Sequence, residues 1–319
     1  MQFRTKIPIP QSDFKIDYNS KIVSLGSCFA ENIAEKLDYF KFQNICNPFG
    51  IIFNSVSIEK IIHKALSQEL FTEKDIFFNN ERWHCFEVHS DLSNTNKVEF
   101  LNDLNQLLQS TKQQMCAATH IIITYGTSWV YRSTVTNKIV ANCHKVPQAA
   151  FSKEILSVEI IEKSIKNTID LIQKVNPKAN IIFTVSPVRH LKDGFVENQV
   201  SKAHLITAIY QIFQSATCNL ESAIYFPSYE IMMDELRDYR FYSEDMLHPS
   251  KVAIDYIWKR FCQTTISEES HSVMEEVETI QKGLAHRPFN SNSESHQHFL
   301  SKLQDKMAKL QKSFPKIQF

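Results

Sequence analysis

Four short apolar stretches punctuate the chain, each too brief for a helix and each closed by Gly, Ser or Pro. They are KIVSL at 21–25, the Ile121-Ile122-Ile123 run, NIIFTVSP at 180–187 and SAIYFPS at 222–228. Near-continuous apolar runs of this length, rich in β-branched and aromatic residues, predict strands buried on both faces. Between them the apolar positions recur at helical spacing. Phe29, Ile33 and Leu37 line one face of a helix beginning near Cys28, and residues 57–69, 97–115, 152–175 and 197–216 carry similar stripes. Residues 129–141 predict a hairpin turning at Thr136-Asn137, 47–55 a loop punctuated by Pro48 and Gly50, and Pro249 a first-turn proline in a helix reaching to about 262. Strands alternating with helices imply an α/β domain, a parallel sheet covered by helices on both faces.

In such a sheet, ligands bind beyond the carboxyl ends of the strands. The residues there are Gly26-Ser27-Cys28, Gly126-Thr127-Ser128 and Ser186-Pro187. After about 264 the composition shifts to Glu, Lys, Gln and Ser, with helical patterns at 268–285 and 295–313 joined by HRPFNSNSES. The chain thus divides into a domain over 1–263 and a helical extension over 264–319, expected to pack on that domain or on a second copy in a homo-oligomer.

Composition narrows the partners. The 319 residues are 43% hydrophobic and 22% charged, and Lys+Arg and Asp+Glu total 35 each, so there is no net charge to point to nucleic acid or an anionic membrane. The first residues lack the apolar core of a secretory signal, and no run of about 18 apolar residues occurs. Seven cysteines at 28, 46, 85, 116, 143, 218 and 262 include no CxxC pair. Reduced thiols in a cytoplasmic protein are expected. Adjacent Cys143 and His144 would point to opposite sides of an extended segment, so neither a metal nor another cofactor is expected.

The candidate chemistry starts with Asp245 and His248, three residues apart at a helix entrance. A carboxylate there can hold an imidazole in one tautomer and make it a general base. Ser27 and Cys28 lie at the first turn of a helix, where backbone amides favour an anion. A plain reading also stands, with Ser27 a helix cap and Cys28 a packed thiol. Gly50 and Gly126 allow close backbone approach, and Thr127 and Ser128 offer hydroxyl donors, so an oxyanion hole could draw on these residues. Trp129, His144, Lys145, Arg189 and His190 are candidate substrate contacts.

Taken together, GSCFAENI at 26–33, NPFGIIFN at 47–54, GTSWVY at 126–131, ANCHKVPQ at 141–148, SPVRHLKDGFVENQVSKA at 186–203 and EDMLHPS at 244–250 resemble the GSCFA family, within the SGNH (GDSL-like) hydrolases. The resemblance spans roughly residues 1–290. It implies a flavodoxin-like three-layer α/β/α fold with the nucleophile just after the first strand. By register that nucleophile is Cys28, with Ser27 the alternative; Ser27 stands where the superfamily has aspartate. Gly50 matches the second-block glycine. The GxND block reads Gly126-Thr127-Ser128-Trp129, without its asparagine, while Asp245 and His248 match the DxxH block unchanged. The implied activity is hydrolysis or acyl transfer on a small-molecule or carbohydrate ester or thioester through an acyl-enzyme. The alternative is a non-catalytic module that holds a glycan or acyl ligand.

Overall fold

The structure is a computed structural model that describes residues 5–215 and 221–319. Five parallel strands form its centre: β1 (Lys21–Gly26), β2 (Gln43–Cys46), β5 (His120–Tyr125), β9 (Asn180–Val185) and β10 (Ala223–Phe226), in the order β10-β9-β5-β1-β2. This is the flavodoxin-like order, with its switch point between β1 and β5.

Strand alternation explains the continuous apolar runs. Val23, Leu25, Ile121, Ile123, Ile181 and Phe183 share one core with α2 (Ser55–Ser67), α3 (Lys97–Ala117), α4 (Val158–Val175) and α5 (Phe195–Gln214). Their neighbours Ile22, Ile122 and Ile182 enter a second core on the opposite face, with α1 (Cys28–Tyr39) and α7 (Lys251–Thr265). Each strand thus feeds two helical layers, giving the expected three-layer α/β/α arrangement.

The two C-terminal helices fall at α8 (Glu268–Ala285) and α9 (Glu294–Ser313), within a residue of the spacing-based bounds. Val273, Val277, Ile280, Leu303 and Leu310 join the α1/α7 core, so the extension packs on its own chain. Among the described residues, no helix is long and apolar enough to cross a membrane.

Two local expectations are corrected. The helix expected from 152 begins at Val158, because residues 151–155 form β8 (Phe151–Ile155), which pairs with β6 (Trp129–Ser133) from Ser133↔Phe151 to Trp129↔Ile155. Ser157 caps the helix, accepting from Ile160 N. Pro249 is not in the first turn of α7: Ser250 is the N-cap, and Pro249 forms a bridge with Tyr242 just before it. A further hairpin, β3 (Ile76–Asn79) with β4 (Arg82–Cys85), and the edge strand β2 were not expected. The hairpin of β6 with β7 (Ile139–Val140) forms as expected, with Asn137 left-handed at φ 54°.

Candidate functional site

The rim at the β1/β5 switch point is assembled by close backbone packing. Gly26 ends β1 at φ 137°, and a Cβ there would lie 2.1 Å from the Thr124 carbonyl oxygen. Only glycine fits that turn. Its amide donates to Asn47 Oδ1 at 2.8 Å, and Ser27 N donates to Thr124 O at 3.0 Å, which ties the turn to β5 and to the loop after β2. On the β5 side, a Cβ on Gly126 would lie 3.2 Å from Ser27 Cβ and 2.7 Å from Phe53 Cβ. The β1 turn, the β5 turn and the 47–54 loop therefore touch one another at this rim.

Within the turn, Ser27 and Cys28 differ sharply. Ser27 is 1% exposed and caps α1, its Oγ accepting from Phe29 N at 3.3 Å. Cys28, the first residue of α1, is partly exposed and carries a free thiol. Burial and the nearby Glu31 push this thiol above its ordinary range; Lys202 and the amides of Cys28 and Phe29 act the other way. Helix-end stabilisation alone had suggested a thiolate, but desolvation outweighs it in the free protein.

The expected oxyanion donors are already engaged. Gly50 N donates to Asn47 O at 2.7 Å, and Gly126 N to Phe53 O at 2.7 Å. Ser128 is fully buried, its Oγ donating to Ser201 O at 3.0 Å while its amide donates to Ser201 Oγ at 2.8 Å. Thr127 Oγ1 pairs with Ser201 Oγ at 2.8 Å and accepts from Trp129 N at 3.1 Å. Thr127 and Ser128 thus fasten the β5 turn to α5, and their hydroxyls do not stand open toward Cys28. By contrast, the amide of Cys28, in the first turn of α1, donates to no other residue among the described ones.

Asp245 and His248 form the expected pair. His248 Nδ1 lies 2.6 Å from Asp245 Oδ2, while Asp245 Oδ1 accepts from Leu247 N at 2.9 Å and His248 N at 3.0 Å. The two backbone amides and the imidazole together hold the Asp245 carboxyl down to about 2. Both side chains are exposed. The loop docks on the segment leaving β9: Arg189 N donates to Leu247 O and Arg189 Nη1 to Met246 O, both at 3.1 Å. The Arg189 guanidinium also lies 5.3–5.6 Å from the ring centres of Phe195, Tyr239 and Tyr242. Arg189 therefore positions the loop that carries His248. Among the described residues, no hydrogen bond joins His248 to Ser27 or Cys28.

The remaining substrate candidates separate. His190 belongs to the rim: its ring centre is 5.8 Å from that of Phe53, its Nε2 is buried with no hydrogen-bond partner among the described residues, and burial with the charges of Lys202 and His248 pulls its imidazole down to about 3. His144 is a packing residue instead, its Nε2 2.6 Å from Cys85 O and its ring 4.8 Å from His84. Burial lowers it to about 4. That places it in the β3–β4 layer, with no open face for a substrate. Lys145 is exposed with φ 58°. Trp129 donates through Nε1 to Glu197 O at 3.2 Å and lines a cavity of ≈ 350 Å³ together with Phe53, Tyr131, Asn142, Gln148 and Phe151. Phe53 and Trp129 join this uncharged, aromatic cavity to the rim.

One buried group escaped the sequence reading. Lys202 on α5 is 1% exposed, and its Nζ donates to Gly126 O at 2.6 Å and Ser186 O at 2.7 Å. The signal was present: Asn198, Ser201, Lys202, Leu205, Ala208, Ile209 and Ile212 form one core-facing stripe, and a lysine lies in its middle. The six cysteines within the described residues are all free; Cys218 lies outside them.

No curated protein matches the chain at a significant level. The GSCFA family model matches residues 21–261, and a GSCFA domain protein C-terminal domain model matches 277–319, over α8 and α9. The first match takes in every rim residue from Gly26 to His248, and the chain belongs to the GSCFA family.

Proposed function

We propose that the rim is an acyl-transfer site of SGNH type, acting on an ester or thioester. The observation that carries this reading is the partly exposed Cys28 thiol on the first residue of α1, at the β1/β5 switch point, with its partner Ser27 spent on capping. In the proposed step the Cys28 sulfur attacks the acyl carbonyl, and its proton passes to His248 Nε2. Asp245 fixes the Nδ1–H tautomer and favours the imidazolium. The tetrahedral oxyanion takes the residue 28 amide. Collapse expels the alcohol or thiol, which receives the proton from His248 and leaves an acyl-cysteine. Water, or an acceptor hydroxyl, then releases the acyl group. The substrate's neutral part occupies the cavity of Phe53, Trp129 and Tyr131, whose aromatic and amide lining suits a sugar or acyl moiety. Catalytic hydrogen bonds are often long before substrate binds, so the unclosed gap at His248 is compatible with this chemistry.

A second reading rests on a specific observation. The raised Cys28 thiol and the absence of a hydrogen bond from His248 suit a module that holds an acyl or glycan ligand without turnover. A panel of esters, thioesters and acetylated sugars separates the two. Turnover that disappears in Cys28→Ala and His248→Ala but survives Ser27→Ala supports acyl transfer. Saturable binding with no turnover leaves only the second reading.

A further inference from the structure

A second cavity, of ≈ 240 Å³, lies outside the proposed acyl step. Arg189, on the segment leaving β9, and Arg237 both line it, between walls of Met232, Met233, Tyr239 and Tyr242. Among the described residues, the arginines in ion pairs are Arg132, Arg240 and Arg260, so neither cavity arginine has a carboxylate partner. Asp238 also lines the cavity, but Arg240 engages both its oxygens, through Nε at 3.0 Å and Nη2 at 3.2 Å. Gln199 adds a neutral donor: its Oε1 accepts from Tyr229 Oη at 2.7 Å, which leaves its amide NH2 unengaged. Two guanidiniums lining one small cavity repel each other, and the fold gains nothing from that. Arg189 has a structural task, its Nη1 donating to Met246 O. Arg237 has none: it is exposed, its backbone amide donates to Met232 O at 3.1 Å, and its guanidinium donates to nothing among the described residues. The backbone makes its placement costly as well. Arg237 closes a π-helical turn, Ile231–Leu236, at φ 49°, the left-handed conformation in which glycine is relaxed and other residues are not.

We propose that this cavity is an anion-binding site, taking the phosphate or carboxylate group of a small molecule between the guanidiniums of Arg189 and Arg237. Both groups share the chemistry these donors fit: neighbouring oxygens that accept from a planar guanidinium fork. A divalent cation would meet two positive charges, and an uncharged ligand would leave both guanidiniums unpaired. The methionine and tyrosine walls lower the local dielectric, which strengthens the attraction, and they give the rest of the ligand a surface to pack on. Arg189 is held in advance by Met246 O and by the rings of Phe195, Tyr239 and Tyr242, so it loses little freedom on binding. The site is separate from the cavity of Phe53 and Trp129, which no charged side chain lines. Arg189 joins it to the loop that carries His248, so an anion bound here lies beside the rim. A net charge of zero conceals this local excess of positive charge.

The proposal does not rest on acyl transfer, because anion binding is read without turnover. The full chain, labelled with ¹⁵N, is titrated with inorganic phosphate and separately with succinate, at an ionic strength held constant with sodium chloride. The readout is the NMR signal of each arginine Nε–H. Saturable shifts of the Arg189 and Arg237 signals together are expected, in the millimolar range for probes this small. Saturation by phosphate alone assigns a phosphate-bearing ligand, and saturation by succinate alone a carboxylate-bearing one. Arg237→Gly separates binding from folding. It relieves the left-handed residue, so the variant should melt close to the unmodified protein, yet its affinity for the bound anion should fall by at least about tenfold. If Arg237→Gly does not fold, Arg237→Gln removes the charge without changing the demand on the backbone and is read in the same way. Shifts that stay linear in concentration for both anions overturn the proposal. So does a folded Arg237 variant that binds as tightly as the unmodified chain.

Discussion

The two halves of the rim solve the same problem in opposite ways. At the Asp245–His248 loop, exposed charges are held by hydrogen bonds: three donors converge on one carboxylate and keep it ionised down to about 2. Around Cys28 and Lys202, desolvation dominates, pushing the thiol up and the ammonium down, both toward their neutral forms. The comparison teaches that ionisation at the buried half requires an event, such as ligand binding or the approach of His248, whereas the exposed half stands ready in the free protein.

The largest effect expected from that contrast is at the buried half. Cys28→Ala removes the sole nucleophile of the proposed step, and acyl transfer should fall by at least about 10³-fold while the melting temperature stays close to that of the unmodified chain. Asp245→Asn comes next. It keeps the shape but loses the anion that fixes the imidazole, and kcat is expected to drop by about 10²-fold, with the loop still ordered by amide contacts. A loss below threefold would mean that the exposed half does not serve the chemistry. Ser128→Ala sharpens the comparison from the other side. It removes a buried hydroxyl spent on Ser201 O, so it should cost about 1 kcal/mol of stability and leave turnover within about threefold. An oxyanion donor would instead cost about 10²–10³ in rate.

Acid should also separate the buried imidazoles from the exposed carboxylate. His120 and His144 are lowered to about 4 and His190 to about 3, chiefly by burial. The unfolded chain takes up these protons near 6.5, so it binds more protons than the folded one below that pH. Stability is therefore expected to fall from about pH 6.5 toward pH 4, visible as a declining melting temperature. Asp245 contributes later: its effect is complete above the ordinary 3.8 and fades as pH falls to about 2. A melting temperature flat from pH 6.5 to 4 would contradict the burial of these histidines.

How much of this was legible follows from burial. The strands β1, β5, β9 and β10 announce themselves because both faces are covered, and apolar residues fill consecutive positions. The edge strand β2 reads QNIC, with Ile45 exposed, so it carries no apolar run. The β3–β4 hairpin turns on Asn80 and Glu81 at φ 45° and 61°, and glutamate is not a residue that advertises a left-handed turn. β8 was hidden because FSKEI continues into a helical pattern, and only pairing with β6 makes it a strand. In the site, the Gly26-Ser27-Cys28 turn and the Asp245–His248 spacing were readable because local geometry sets both. The commitment of Thr127 and Ser128 to Ser201 depends on residues more than seventy positions apart, and Lys202 reads as a solvated lysine until the stripe around it is followed.

Peptide mass spectrometry of the His248→Ala protein, incubated with a reactive thioester, addresses the nucleophile most directly. Without its base the acyl-enzyme forms slowly but also persists, and the acyl mass should appear on the peptide containing Cys28 and vanish in the Cys28→Ala background. An acyl mass on Ser27, or its appearance elsewhere with Cys28 unmodified, would contradict the account.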